Sequence, residues 1–272
     1  MAMKKTFIFL ILISIAGMAK ADWPVGKKRL MITPSFSYFY TSRVFDSTGR
    51  IKASVNNDQF ISKTLGIYGL AGMSRRLDFI FNVPISEITA KNIYVKQTKT
   101  GIGDAMLGFA FHTPSNSLKS FFTMKALVIL PVYSNVSTPY MGYGSKGAKL
   151  AANYSFSPKK RSFAVIEGGY ARYFDDKDGP NQYSLDLTYG KELSNGFLLS
   201  FAYNHLSSIS DNKAFSTNLN INKDYMYGKV SCALGKKISR TITPYIQTFY
   251  TLYGRNAGQG FGGSVFVALK IP

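Results

Sequence analysis

The chain has 272 residues, a formal net charge of +19 and a single cysteine, Cys232. One cysteine excludes a disulfide framework within the chain. A strongly basic chain could bind nucleic acid, but here the lysines and arginines are spread over predicted loops and turns and form no single stripe. Because this distribution fits contact with anionic lipid headgroups better, we expect no nucleic-acid partner.

The N-terminus has the pattern of a secretory signal peptide. Lys4 and Lys5 precede the apolar stretch Thr6–Gly17, and Ala19-Lys20-Ala21 places small residues before a cleavage point. The apolar stretch is shorter than the roughly 18 residues of a membrane-anchoring helix. We predict a signal peptide at 1–21 and a mature domain at 22–272. Removing the three lysines of the signal peptide lowers the formal charge from +19 to +16.

Twelve segments of the mature chain alternate apolar and polar residues with a period of two, which indicates strands. Most are long enough for a tilted membrane-spanning strand, which requires about nine to eleven residues. The aromatic content of 15% is typical of a barrel with aromatic girdles at both membrane interfaces. We therefore predict an all-β fold, a transmembrane antiparallel up-and-down β-barrel of about twelve strands in the bacterial outer membrane. The strands are predicted at 29–43, 59–73, 75–85, 103–112, 120–132, 147–157, 161–174, 182–193, 196–206, 224–236, 240–253 and 261–271.

The lengths of the connections alternate along the chain. Outer-membrane barrels have short periplasmic turns and longer external loops, whereas a soluble β-sandwich has no reason to alternate in this way. The alternation predicts an even number of strands with both termini in the periplasm, although the contrast fades near 113–119. The external connections are predicted at 44–58, 86–102, 133–146, 175–181, 207–223 and 254–260.

Tyrosines and one phenylalanine lie near the predicted external strand ends. Tyrosine combines an apolar ring with a polar tip, which suits the headgroup level of a membrane, and the alternative is aromatic residues at the edge of a soluble sandwich. The predicted external girdle consists of Tyr38, Tyr40, Tyr170, Tyr173, Phe174, Tyr183, Tyr225, Tyr227, Tyr250 and Tyr253.

Several strands divide into an apolar and a polar face; in the first, Phe36, Tyr38 and Tyr40 oppose Ser35 and Ser37. If the apolar faces contact lipid, the polar faces line the lumen. Their charges form either a salt-bridge network that fills a narrow barrel or a path for polar solutes. We expect no plug domain, so gating would depend on folded-in loops or on side chains in the lumen. The candidate lumen-lining residues are Asp78, Asn82, Asp104, Lys125, Lys149, Asn153, Glu167, Asp186, Asn204, Lys229 and Lys270.

Catalytic patterns are weak. His205 lies close in sequence to Ser207 and Ser208, but no third residue that would orient such a pair is identifiable, and His112 has no such neighbour. No cluster of His, Cys and acidic residues has the spacing of a metal site. The glycine-rich turn at 101–104 lacks the strand–turn–helix context of a phosphate loop. We expect no enzyme activity, no cofactor and no metal.

This glycine-rich turn also carries a family resemblance. Gly101–Gly108 (GIGDAMLG) resembles the GxGDxxLG signature of the "putative MetA-pathway of phenol degradation" family, outer-membrane barrels related in fold to the long-chain fatty-acid transporters. Leu127–Pro131, Gln182–Phe197 and Thr248–Gly258 are similar to further family segments in the same order, so the resemblance covers about residues 60–272. It implies a barrel that passes small, often aromatic or hydrophobic, compounds across the outer membrane.

Two functional hypotheses follow. In the first, the barrel is a channel or transporter for small solutes, including hydrophobic or aromatic ones. In the alternative, it is a structural or surface-interaction barrel that acts through its external loops near 86–102 and 207–223, without transport. The expected partners are outer-membrane lipids, a small-molecule solute and lipopolysaccharide, whose phosphates would contact loop lysines such as Lys91, Lys96 and Lys99.

Overall fold

The structure is a computed structural model that describes residues 23–53, 56–133, 135, 137–174, 178–216 and 218–272. The predicted signal peptide lies outside this range. Within the described residues, no helix is long and apolar enough to cross a membrane. The strands are β1 (Leu30–Phe45), β2 (Ile51–Ala53), β3 (Gln59–Gly72), β4 (Leu77–Lys91), β5 (Lys96–Ile102), β6 (Asp104–Pro114), β7 (Ser120–Pro131), β8 (Gly147–Phe156), β9 (Ser162–Tyr173), β10 (Asn181–Glu192), β11 (Phe197–Ile209), β12 (Tyr225–Lys236), β13 (Ile242–Arg255) and β14 (Ala257–Ile271).

The strands form one closed antiparallel barrel, because β1 pairs with β14 from Leu30 opposite Ile271 to Phe45 opposite Ala257. The short strand β2 pairs with the outer end of β1 and adds no strand to the wall. The strands β5 and β6 both pair with β4 on either side of Gly103 and act as one strand of the wall. The wall therefore has twelve strands, which confirms the predicted fold class and strand number.

The two faces of the wall differ as the alternation predicts. Phe36, Leu150 and Val265 are 46%, 61% and 51% exposed, whereas Thr33 and Asn153, which point inward, are 1% exposed. The outer surface is thus a band of apolar side chains, the surface that a barrel presents to lipid. The protein is an outer-membrane barrel.

Two predicted external loops are wrong. Within 86–102, β4 continues to Lys91 and β5 begins at Lys96, so only the turn 92–95 remains; Asn92 Oδ1 accepts the backbone N–H of Tyr94 and Val95 at 2.9 Å each. Within 254–260, only Asn256 is outside a strand, because the outer end of β13 pairs with β12 while that of β14 pairs with β1. In the β4–β5 hairpin the strand pairing continues although the apolar alternation has ended, so alternation alone does not mark where a strand ends.

The predicted girdle also needs correction. Tyr173, Tyr225 and Tyr227 occupy inward positions: Tyr173 is 9% exposed and packs edge-on against Tyr143 at 4.7 Å between ring centroids, and Tyr225 and Tyr227 line the lumen. Tyr40 is half-buried. The other predicted girdle residues are exposed, namely Tyr38, Tyr170, Phe174, Tyr183, Tyr250 and Tyr253.

Candidate functional site in the barrel interior

A row of polar side chains crosses the inner wall from strand to strand. In antiparallel pairs, directly opposed residues share one face and have Cβ atoms about 4.5–5.5 Å apart. From β12 to β6, the register places seven polar residues opposite one another in succession. Because barrel strands are tilted, this row runs obliquely, from near the end of the barrel that carries the long loops to the end that carries the N-terminal segment. We call it the polar stripe; it consists of Lys229, Asn204, Asp186, Glu167, Asn153, Thr123 and His112.

The middle of the polar stripe is internally paired. Lys125 Nζ lies 2.6 Å from Glu167 Oε2, and the two side chains are only 11% and 14% exposed. Asn153 Nδ2 donates to the same Glu167 oxygen at 3.4 Å. Asn204 Nδ2 donates to Asp186 Oδ1 at 2.6 Å. Since burial of an unpaired charge is costly, these contacts let the stripe fill one side of the lumen with charged residues.

The N-terminal end of the lumen is covered by residues 23–28, which we call the terminal segment. His112 Nε2 lies 3.0 Å from Asp78 Oδ2, and the same oxygen accepts the backbone N–H of Val25 at 3.0 Å. The ring centroid of Trp23 lies 5.7 Å from that of Phe121 on β7. The side chains of Asp78 and His112 are 0% and 2% exposed, so they anchor the terminal segment from inside the barrel.

Two cavities remain beside the polar stripe. The polar cavity, about 430 Å³, is lined by Lys149, Asp186, Lys229 and serine hydroxyls. The aromatic cavity, about 340 Å³, is lined by rings from β1, β3, β12 and β13 and by the β11–β12 loop. The two cavities share Tyr227, Lys229 and Phe249, so they adjoin along one boundary.

Two external loops, 132–146 and 210–224, fold over the lumen, and we call their described residues the cap. Met141 packs inside the mouth against Phe60 and Ile88. Tyr143 Oη donates to the backbone oxygen of Asn222 at 3.1 Å, and Asn220 Nδ2 donates to the backbone oxygen of Met141 at 3.3 Å. The loops are therefore fixed to the wall and to each other. Burial raises the pKa of Tyr143, so its hydroxyl stays protonated and able to donate.

The glycine-rich motif supports the cap. Gly103 separates β5 from β6, and its backbone N–H donates to Pro84 O at 2.8 Å. The next residue, Asp104, accepts the hydroxyl of Tyr133 at 2.7 Å, and that hydroxyl accepts the backbone N–H of Gly144 at 2.9 Å. The sequence indicated a turn at 101–104, but in the structure only Gly103 lies between β5 and β6; the anchoring of the cap by Asp104 was missed.

An ion-pair cluster outside the membrane ties the cap to the β13–β14 tip. Asp224, 2% exposed, lies 2.8 Å from both Lys213 Nζ and Arg255 Nη1. Asn256 Nδ2 donates to the backbone oxygen of Asp224 at 3.1 Å. Burial alone would raise the pKa of Asp224, but the hydrogen bond from Lys213 and the charge of Arg255 outweigh it and hold the pKa below its ordinary value.

The eleven candidate residues fall into distinct places. Five belong to the polar stripe, Lys125 and Lys149 lie next to it, Asp78 holds the terminal segment and Asp104 holds the cap. Asn82 is half-buried and lies opposite Met106, while Lys270 is exposed near the end of β14. Sequence reasoning missed His112 and Thr123 as members of the stripe. The alternation along β6 and β7 places both side chains on the inward face, but only the register between those strands shows that they lie side by side in the stripe.

Of the two serines near His205 in sequence, Ser207 shares its face of β11 and Ser208 does not. His205 and Ser208 occupy opposite faces of β11; His205 Nδ1 lies 2.9 Å from the Tyr253 hydroxyl, while Ser208 Oγ donates to Lys223 O at 2.7 Å. Within the part of the chain that the structure describes, no group of three or more His, Cys, Asp or Glu residues could hold a metal ion.

Comparison with known proteins gives a consistent result. The fold is similar to the COG4313 outer membrane channel from Pseudomonas putida F1, with a TM-score of 0.77 and 13% identity over 94% of this chain and 100% of that chain. It is also similar to the NanC porin, with a TM-score of 0.52 and 11% identity over 88% and 98%. At such identities the likeness concerns the fold alone. No curated protein sequence matches. The model of one family, however, matches residues 25–265, almost the whole barrel, and the chain therefore belongs to the "Putative MetA-pathway of phenol degradation" family.

Proposed function

We propose that this barrel is a channel that passes small solutes across the outer membrane through its interior. The observation that carries the proposal is the pair of adjoining cavities inside the closed wall, which meet along Tyr227, Lys229 and Phe249. Membership of the family and a fold shared with outer-membrane channels support the same function.

The two interpretations of the lumen charges apply to different sectors of the wall. On β7 to β9, Lys125, Asn153 and Glu167 satisfy one another and fill space. On β10 to β14, β1 and β3, together with Lys149 of β8, the lining leaves two cavities of about 430 and 340 Å³. Volumes of about 300–1,000 Å³ are those of small-molecule sites. A barrel with a purely structural interior would have no reason to keep such space next to its buried charges.

In this arrangement the cap and the terminal segment are the two gates. The cap closes the external mouth through hydrogen bonds such as that of Tyr143 to Asn222. The terminal segment covers the other end through Val25 and Asp78. Because each gate depends on a few hydrogen bonds, movement of either requires no change in the wall.

Paired tryptophan substitutions test the proposal. Ser37 lines the polar cavity, and its neighbour Phe36 points outward and is 46% exposed. In planar bilayers and in liposome swelling with small sugars and organic acids, we expect Ser37→Trp to lower conductance and uptake several-fold. Phe36→Trp should leave both unchanged. A wild-type barrel that neither conducts nor takes up solute, or a Ser37→Trp variant with unchanged conductance, would refute a path through the polar cavity.

The β4–β5 hairpin favours a second role at the cell surface. Its tip exposes Ile93 by 59% and Tyr94 by 77%, and Lys91 and Lys96 flank it. We infer that this hairpin contacts lipopolysaccharide, with its lysines at the phosphates. Replacing Lys91 and Lys96 by glutamine should weaken lipopolysaccharide binding without changing conductance, whereas unchanged binding would exclude this role.

A further inference from the structure

We propose that the preferred solute is an amphipathic organic acid, whose flat apolar body occupies the aromatic cavity while its carboxylate lies in the polar cavity between Lys149 and Lys229. This inference rests on the proposed channel function and names the class of solute.

The first argument is the charge balance of the polar cavity. Its lining contains two ammonium groups, on Lys149 and Lys229, and one carboxylate, on Asp186. Neither lysine forms an ion pair with any residue that the structure describes, whereas the nearby Lys125 is neutralised by Glu167 at 2.6 Å. The cavity therefore holds one excess positive charge, and a buried charge is stabilised when an anion pairs with it.

Asp186 is already engaged, because Asn204 Nδ2 donates to it at 2.6 Å. Asn204 lies directly opposite both Lys229 and Asp186 in the register, so ammonium, amide and carboxylate follow one another along the polar stripe and the amide separates the two charges. A solute carboxylate between the two lysines would give both ammonium groups an acceptor. Such charge-assisted hydrogen bonds are about twice as strong as neutral ones.

The second argument is the wall of the aromatic cavity. The ring of Phe39 stacks on that of Phe249 with centroids 6.3 Å apart, and its other contact is the edge-on ring of Phe60 at 6.4 Å. Leu219 of the cap lies over the same space. Three rings and an aliphatic side chain form a surface suited to a planar apolar group, because aromatic rings favour stacked or edge-on packing.

Lys229 lies where the anion-binding and the ring-binding parts of the proposed site meet. Its ammonium group lies 5.0 Å from the centroid of the Phe249 ring, at the boundary between the cavities. A molecule with its ring beside Phe249 would have a carboxylate within reach of this ammonium. A cationic solute would instead meet two positive charges, a neutral one would leave them unpaired, and a small inorganic anion would leave the aromatic cavity unused.

Calorimetric binding to the purified full-length barrel in detergent tests the inference independently of transport. The probes are benzoate, benzyl alcohol, benzylammonium and acetate, which separate ring from charge. We expect benzoate to bind at least about tenfold more tightly than the other three, since one charge-assisted hydrogen bond provides about this factor. Lys229→Gln should remove most of that preference, and Phe249→Leu should weaken benzoate but not acetate.

The control is Lys63→Gln, which removes a lysine from the outer face, where Lys63 pairs with Glu87. It should leave benzoate binding unchanged. Lys149→Gln provides a second lumen variant, and the gel mobility of unheated protein verifies that each variant is folded. Equal binding of benzoate and benzyl alcohol would overturn the anion site, and equal binding of benzoate and acetate would overturn the aromatic one. If the barrel binds benzoate preferentially but does not conduct, the binding site stands and the channel function is overturned. If the barrel conducts but shows no preference for benzoate, the channel function stands and the binding site is overturned.

Discussion

The ion pair between Lys125 and Glu167 gives a quantitative test of how the lumen is stabilised. Its atoms are 2.6 Å apart and its side chains are 11% and 14% exposed. Removing one partner of a buried pair costs about 3–5 kcal/mol, because the other charge stays buried without compensation. In Lys125→Met, Glu167 keeps its hydrogen bond from Asn153, so we expect a loss near the lower limit, about 3 kcal/mol in the free energy of unfolding.

Glu167→Gln keeps an acceptor for both neighbours but removes the negative charge that faces Lys125. In the double variant the pair is neutral, and part of the loss should be recovered. We expect a coupling energy of about 2 kcal/mol between the two sites. The measurement is a double-mutant cycle of urea unfolding in phospholipid vesicles, read from the mobility of unheated protein on gels and extrapolated linearly to zero urea.

The matched control is the pair Lys63–Glu87, with the same 2.6 Å separation but with side chains 47% and 39% exposed. Exposed pairs are screened and contribute little, so its cycle should give a clearly smaller coupling energy. Additive losses at Lys125 and Glu167, or equal coupling in the two pairs, would refute the argument that burial gives the interior pair its strength.

Three further predictions concern the gates. Asp224→Asn should speed hydrogen exchange in the β11–β12 loop at neutral pH. Because the pKa of Asp224 is held below 3.8, the wild-type loop should stay protected from exchange above that pH and lose protection as the pH falls through the lowered pKa. The variant should show no such acid step. Gly72→Ala places a Cβ 1.8 Å from the Gly26 carbonyl oxygen, so trypsin should cleave the terminal segment faster although the wall stays folded. Tyr143→Phe removes the hydrogen bond to Asn222, worth about 1 kcal/mol, and should raise the open probability of single channels about fivefold.

Each of these predictions has a contradicting outcome. An acid step in loop protection that persists in Asp224→Asn would assign the pH dependence to another group. Unchanged cleavage in Gly72→Ala would show that the terminal segment is not held at Gly72. Equal open probabilities for Tyr143→Phe and wild type would mean that the cap is not the gate.

The wall could be predicted from the sequence because lipid imposes a strict requirement on every strand. A side chain that faces lipid must be apolar, so Leu150 and Tyr154 alternate with Asn153 and Ser155 whatever the neighbouring strands are. Beyond the lipid this requirement ends while hydrogen bonding between strands continues. For that reason the outer parts of β4 and β5 were predicted as a loop.

The interior was predictable as a set of positions but not as a set of contacts. Asp186 and Asn204 were assigned to the lumen from alternation alone, yet their pairing depends on the register of β10 and β11. Asp104 meets Tyr133 across a chain reversal, and Asp224 meets Arg255 from a different hairpin. Such contacts between loops follow no period, so nothing local in the sequence marks them.

The position of the polar stripe has a consequence for assembly. The stripe lies on β6 to β12, where each strand pairs with its neighbour in the chain and can form early. The pairing of β1 with β14 joins the two ends of the chain, and the large entropic cost of closing so long a loop makes it the natural last step. Inward positions in the middle of this junction carry no charge, with Ser37 opposite Ser264 and Phe39 opposite Gly262, while Lys270 lies near one end opposite Met31. The last strand pairing therefore has no ion pair to form across the middle of the junction, so a nascent barrel can adjust its register there without trapping a mismatched charge.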